Sequence, residues 1–486
     1  MKGCNLMKGY NLWSYAPYRP ILGNVGDIYI CRISPNKTSI HFEWLGKELE
    51  EYVIFYREKD KGNFVECGKT KATEYDINGL KTETDYEFYV QSGNKKSRIR
   101  LARTGMCVGT VVNYLHPDDD AYSFSGKYLC SPSLVRHPEG FLLASMDLFA
   151  GGYPQNLTLI FRSDDDGETW HYVSELMPCF WAKMFIHNGE LYILACSTEY
   201  GDILIGKSTD GGKTFSAPVC LLRGSNGKNF AEGLHKNPQN ILVYNDRIYT
   251  ALEWGSYKNK EYNHVAMVMS CSVKSDLLNP ESWTFTEPKI FENFVPEIEA
   301  FPKGTTPIEG TVALSPDGKV LNIVRMASYF LPMGIADLEN EDNKKLSKVL
   351  TDGCVIAYVA DTENHSAPLE FSHIINLPTS SKFTVKYDSV SKKYYTIISR
   401  IYDASKLRAR NILSLYSSVD LINFNLETDI LDFSDGDSDK IGFQYIDFEI
   451  ENNDIIFLSR TAINNAHNYH DANYSTFHRI KDFRNI

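Results

Sequence analysis

Two octets decide the fold: SDDDGETW at 163–170 and STDGGKTF at 208–215. They share Ser, Asp, Gly, Thr and a closing aromatic ring at matching positions. An aspartate can accept hydrogen bonds from turn backbone, and glycine can take a positive φ. Ser and Thr bond locally, and the ring packs inward. The octets therefore read as hairpin staples, with the turn bond assigned to Asp166 and Asp210. SSVDLINF (417–424) and KSDLLNPESW (274–283) read as decayed copies.

The segments around these turns are short and strand-like. GFLLASMDLF, LTLIFRSD, ELYILACST, RIYTALEWG, KVLNIVRM, KYYTIISRIY, ILSLYSS and DIIFLSRTA follow one another through the chain. From about residue 107 to the C-terminus no long helical period interrupts them. Many short strands over such a length point to radial repetition, which leaves few exposed sheet edges. Residues 27–105 differ. Period-two alternation places Ile40, Phe42 and Trp44 on one face, then Tyr52, Ile54 and Tyr56, then Tyr86, Phe88 and Val90. Strands so spaced predict a small β-sandwich. Abundant Tyr (30) and Phe (26) agree with an all-β chain.

The 486 residues carry a net charge of −12, which argues against nucleic acid or an anionic membrane surface as partner. No apolar run reaches the length of a bilayer span. The first residues, MKGCNLMKGYNLWSY, lack the apolar core of a signal peptide, so a cytoplasmic location is expected unless a leader has been removed. The ten cysteines form no C-x-x-C and read as buried, reduced residues. No nucleotide-binding, zincin or α/β-hydrolase motif occurs, and no cofactor is expected. DGDSDK (435–440) lacks the glycine and glutamate that a calcium loop needs at its sixth and twelfth positions. His467, His470, Asp471 and His478 near the C-terminus fit no metal-ligand spacing, so no metal is expected.

The octets resemble the Asp-box of sialidase-type β-propellers, and residues 27–105 resemble a fibronectin type III domain with a tyrosine corner at Tyr86. The resemblance implies an all-β chain: an N-terminal extension (1–26), a fibronectin type III-like sandwich (27–105) and a six-bladed sialidase-like propeller (106–486). It also implies chemistry. Sialidases clamp a substrate carboxylate with arginines, and a neutral tyrosine replaces the carboxylate nucleophile of other glycosidases. IEGTVALSPDGKVLNIVR is similar to the family's hairpin in which a glutamate opens one strand and an arginine ends the next; here these are Glu309 and Arg325. RNILSLYSSVD resembles the arginine-led strand that runs into an Asp-box, with Arg410 as clamp. GFQYIDFEIENNDIIFLSR resembles the nucleophile strand, with Tyr445 as nucleophile. In CSPSL, Cys130 stands where the family places its first clamp arginine. LLASMDLFAGGYPQN offers Asp147 as general acid.

Loops at strand ends carry sites, so Glu232, His235 and Glu253 are further candidates for the propeller mouth, with Arg460 at its C-terminal lip. The resulting expectation is an exo-acting glycoside hydrolase that removes a terminal, acidic sugar with retention. The alternatives are a polysaccharide lyase using Tyr445 or His235 as base, and a non-catalytic glycan-binding propeller.

Overall fold

A computed structural model describes residues 12–23, 25–46, 50–225, 231–256, 264–289, 306–327, 337, 339–353 and 355–486. The sandwich comes first. One sheet pairs strands Tyr29–Pro35, Ile40–Leu45 and Glu74–Ile77; the other is built around Tyr52–Glu58 and Asp85–Ser92. The alternating residues named above close its core, with Phe42, Trp44, Tyr52, Ile54, Phe88 and Val90 all buried. Tyr86 makes the expected corner: its hydroxyl accepts from Lys81 N–H at 2.9 Å.

Six further sheets follow among the described residues, each an antiparallel meander. This is the six-bladed propeller. The blades open with Tyr128–Arg136, Phe180–His187, Gly233–His235, Thr306–Leu314, Val385–Asp388 and Gly442–Glu451. In blades 1 to 5 the fourth strand is more wetted than the third. In blade 5 the third strand, Ile412–Ser418, is wholly buried, whereas the fourth, Asn425–Asp432, is largely wetted. Opening strands of neighbouring blades bond directly: Met184 N–H donates to Ser133 Oγ (3.0 Å), Val385 N–H to Thr311 Oγ1 (3.3 Å) and Leu134 N–H to Asp447 Oδ2 (2.7 Å). The last blade takes its fourth strand, Thr110–Tyr114, from the start of the domain, and this strand pairs with Tyr474–Ile480. Closure removes the free edges an open sheet would leave.

Both octets lie between the third and fourth strands of blades 1 and 2. Ser163 Oγ accepts from Gly167 N–H and donates to Asp165, and Asp165 Oδ1 accepts from Thr169 N–H at 2.9 Å. Ser208, Gly212, Asp210 and Thr214 repeat this set. Trp170 and Phe215 are buried. The aspartate of the first turn is thus Asp165. Asp166 takes the left-handed conformation (φ 59°) and turns outward to Arg136. Gly167, at φ 93°, packs so closely on the Phe477 ring that a Cβ would meet it at 2.1 Å. The decayed copies occupy the same turn of blades 5 and 3: Asp420 accepts from Ile422 and Asn423 N–H, and Trp283 Nε1 donates to Leu277 O.

One element departs from the sequence reading. Glu341–Asp352 is a helix inserted between the second and third strands of blade 4. The stretch is polar apart from Leu346, Val349 and Leu350, whose i, i+3, i+4 spacing is one short helical period within a strand-rich region; its acidic first turn (Glu341, Asp342) suits the positive end of the helix dipole. No helix among the described residues is long and apolar enough to cross a membrane.

The sandwich is fastened to the propeller. Arg32, buried, donates to the carbonyls of Val112 and Val111 on the closing strand and pairs with Glu43. Arg100 pairs with Asp119 at 2.7 Å. Trp13, ahead of the sandwich, is buried among blade 1 and 2 residues and donates to Pro178 O.

Candidate active site

Four blades share one distortion. In blades 1, 2, 4 and 6 the opening strand gains a residue against its partner, between Cys130 and Ser133, Phe180 and Lys183, Ile308 and Thr311, and Gln444 and Asp447. The first residue inside each bulge has positive φ: Ser131 (36°), Trp181 (53°), Glu309 (58°) and Tyr445 (57°). None is glycine, and such residues seldom adopt this region. Bulges re-aim side chains beside active sites, and two of the four carry Glu309 and Tyr445. The register partners just before the bulges are Asp147, Cys196, Arg325 and Arg460 on the second strands. Arg325, Arg460 and Asp147 therefore occupy equivalent places in blades 4, 6 and 1.

Tyr445 and Glu309 meet, although 136 residues separate them: Tyr445 Oη donates to Glu309 Oε1 at 2.6 Å. Arg325 Nε donates to Glu309 Oε2, also at 2.6 Å, and Arg325 Nη1 to Ser380 O. Burial opposes the Glu309 charge, but Arg325, His235 and the Tyr445 hydroxyl outweigh it and hold the carboxyl down at about 2. Burial, reinforced by the Glu309 carboxylate, pushes the Tyr445 phenol well above its ordinary range.

Two more guanidinium groups face the Tyr445 ring, with Arg460 Cζ 5.2 Å and Arg410 Cζ 5.9 Å from its centroid. Arg410 donates to the neutral amide of Gln444. Arg460, 2% exposed, reaches 330 residues back in sequence to Cys130 Sγ (3.0 Å) and also donates to His470 O (2.6 Å). Burial pushes the Cys130 thiol up to about 11, so it is neutral. Among the described residues neither Arg410 nor Arg460 has a carboxylate at ion-pair distance, and the Nε of each lacks an acceptor. Buried charges are normally paired, so this cluster carries an uncompensated positive charge around a phenol.

The remaining candidates divide. His235 and Glu253 form a buried pair, Nδ1 to Oε2 at 2.9 Å, and Glu253 Oε1 accepts from Gly310 N–H beside Glu309. Asp147 is fully buried between blades 1 and 2, where Thr158 Oγ1 (2.5 Å) and Trp181 N–H (2.8 Å) occupy its two oxygens. Burial raises its carboxyl to about 8, so it holds a proton at neutral pH. Glu232 is exposed ahead of its strand and stands apart from this burial. Sequence reading missed Trp181, whose ring lies 4.2 Å from that of His235. It also missed Glu199, whose carboxyl burial raises and which accepts from Gln155 Nε2 at 3.0 Å. Neither belongs to a motif, and only the repeated bulge locates Trp181.

The C-terminal histidines serve hydrogen bonds: His467 and His470 both lie 2.9 Å from Asp471 oxygens. Among the described residues one group has metal-ligand spacing, His41, Glu43 and Glu74 on the sandwich, where Arg32 already pairs with Glu43.

The fibronectin type III domain family matches residues 24–101. Among curated proteins none matches the chain by sequence. Solved structures similar to it include the α-L-arabinanase of Penicillium chrysogenum complexed with arabinobiose (TM-score 0.48, 14% identity, covering 78% of this chain and 99% of that one). The leech intramolecular trans-sialidase gives a TM-score of 0.47 at 8% identity, covering 93% of this chain and 91% of its own. An ulvan lyase gives 0.43 at 11% identity, with coverage of 93% and 95%.

Proposed function

We propose that this chain is an exo-acting, retaining glycoside hydrolase that removes a terminal sugar bearing a carboxylate. The observation that carries the reading is the Tyr445–Glu309 hydrogen bond set among three guanidinium groups, two of them without a carboxylate partner. A cationic pocket beside a phenol suits an anionic sugar, because the arginines satisfy their charge on it and a neutral nucleophile is not repelled by it.

In this reading Tyr445 Oη bonds to the anomeric carbon while its proton passes to Glu309 Oε1. The bond to the leaving oxygen breaks, and that oxygen takes a proton from the acid. Water then attacks the anomeric carbon and gives its proton to the carboxylate left by the acid, while the departing phenolate recovers its own proton from Glu309. Without substrate, Arg325 makes Glu309 a weak base. A substrate carboxylate that shares Arg325 offsets this field and raises the basicity of Glu309 when the sugar is in place. Arg325, Arg410 and Arg460 hold the anion. Asp147 is the acid, protonated at neutral pH, and its side chain has to leave Thr158 to reach a leaving group. Glu232, His235 and Glu253 are assigned to substrate contacts around the mouth.

A second reading, a polysaccharide lyase, is favoured by the buried His235–Glu253 pair next to Glu309. There an imidazole abstracts the proton beside a uronate carboxylate that arginine has neutralised, the adjacent glycosidic C–O bond breaks as the double bond forms, and the departing oxygen takes the proton back from the imidazolium. Incubation with aryl glycosides of acidic sugars and with acidic oligosaccharides separates the two. The hydrolase releases aryl alcohol and reducing sugar, and the lyase produces an unsaturated product absorbing in the ultraviolet. Binding without turnover of any of these would overturn both.

A further inference from the structure

Below Tyr445, the propeller axis holds charge that the chemistry above does not use. Two residues after each bulged position come Ser133, Lys183, Thr311 and Asp447, and three of these four accept the interblade bonds described above. Lys183 Nζ lies 2.6 Å from Asp447 Oδ2. Lys382 Nζ, from the lead into blade 5, donates to Ile446 O at 3.2 Å. Lys236 Nζ, just past the opening strand of blade 3, donates to Thr250 Oγ1 at 3.2 Å. All three lysines are at most 3% exposed.

Asp447 pairs directly with Lys183, and its field also supports the Lys382 charge, so one carboxylate is shared between two of the three ammonium groups. Among the described residues Lys236 and Lys382 have no carboxylate at ion-pair distance, and each ammonium has one neutral acceptor for its three N–H groups. Burial lowers both ammonium groups, with Lys183 adding repulsion, but only to about 8. Both therefore remain protonated at pH 7. An isolated buried charge is costly, and a diffusible counter-ion removes that cost.

We propose that the axis between Lys183, Lys236 and Lys382 is a binding site for a small inorganic anion of the halide class, held by one ammonium from each of blades 2, 3 and 5. Ammonium groups act as point charges, with neither the guanidinium fork nor the nest of backbone N–H groups that matches a tetrahedral oxyanion. The site is distinct from the arginine cluster. It is coupled to it through the chain, because Ile446 and Asp447 directly follow Tyr445 on the bulge. The anion thus stabilises the bulge that presents the phenol.

The test is thermal melting of the full chain at constant ionic strength, exchanging sodium gluconate for sodium chloride or bromide, together with bromide anomalous scattering from crystals. The expected result is a saturable rise in Tm with halide concentration and a bromide peak between the three ammonium groups. Lys382→Met should abolish the rise, whereas Lys59→Met, on the surface of the sandwich, should retain it. Equal Tm in gluconate and halide with no bromide peak on the axis would overturn the proposal. So would a halide response that survives in Lys382→Met. If Lys382→Met does not fold, the wild-type melting and scattering decide alone. Neither depends on turnover, so the outcome is separate from that of the hydrolase reading.

Discussion

Replacing Tyr445 by Phe removes one oxygen and leaves the ring between Arg410 and Arg460. The lost Oη–Glu309 bond is 2.6 Å long and ends on a carboxylate, a class of hydrogen bond contributing about 1.5–3 kcal/mol. Glu309 keeps Arg325 on its other oxygen, so the cost to stability should lie near the lower end, about 1.5 kcal/mol. Turnover should respond quite differently. Losing a nucleophile costs on the order of 10³-fold or more in kcat, with the residue of activity coming from binding and electrostatics. Affinity for the acidic sugar should stay within about threefold of wild type, a difference below 1 kcal/mol, because all three guanidinium groups remain. The assay pairs kcat on an aryl glycoside of an acidic sugar with a calorimetric Kd for the free sugar, on protein whose near-ultraviolet circular dichroism matches wild type. A Phe variant turning over within tenfold of wild type would refute the nucleophile. A Kd weakened in proportion to kcat would make Tyr445 a binding residue instead.

Arg460→Met and Arg410→Met should each raise KM for acidic substrates by about tenfold or more while melting no lower than wild type, since Arg460 is a buried and Arg410 a half-buried charge without a carboxylate partner; a clear loss of stability at unchanged KM would count against an anion pocket. Asp165→Ala should lower Tm, with each turn hydrogen bond contributing about 1 kcal/mol, while kcat per folded molecule stays constant; a drop in kcat at unchanged Tm would contradict the staple. Asp147 has a folded carboxyl raised to about 8 from an ordinary 3.8, so the folded state holds the extra proton and stability falls as pH rises from about 4 through 8. Asp147→Asn should flatten that decline in melts taken from pH 5 to 8, and an unchanged slope would exclude the assignment. Glu309 has the opposite sign: its carboxyl lies near 2 against an ordinary 4.5, so its contribution is present above pH 4.5 and is lost as pH falls towards 2. Glu309→Gln should remove that acid-limb component of the stability profile.

The parts of this molecule legible in the sequence are those in which a local pattern does the structural work. Alternation over Ile40–Trp44 and Tyr86–Val90 sets the sandwich faces, and Gly167 and Gly212 mark the staples because their turns require positive φ. Even there the aspartate reads one residue off: among three adjacent candidates in SDDDGETW the Ser208–Asp210 spacing of the second octet points to Asp165, and the turn geometry agrees. The spatial meeting of Tyr445, Glu309, Arg325 and Arg410 was readable through their family-like order along the chain. The bulges were not. Ser131, Trp181, Glu309 and Tyr445 reach positive φ without the glycine that would betray it, so sequence gives no cue that these four positions are equivalent. The Arg460–Cys130 contact and the axial lysines arise from ring closure between distant blades, which no local window contains.

Ring closure also imposes an order in time. Thr110–Tyr114 leaves the ribosome roughly 360 residues ahead of its partner, Tyr474–Ile480. At about 5–20 residues per second, the roughly 360 residues between Tyr114 and Tyr474 take about 20–70 s to synthesise. Throughout that interval the early strand is an unpaired template open to mispairing with other chains. The sandwich is complete before it emerges, and Arg32 is placed to grip the carbonyls of Val111 and Val112 while Asn113 Oδ1 accepts from Ile33 N–H. The small N-terminal domain thus holds the strand that closes the ring by its carbonyls and by Asn113, independently of the partner strand that comes roughly 360 residues later.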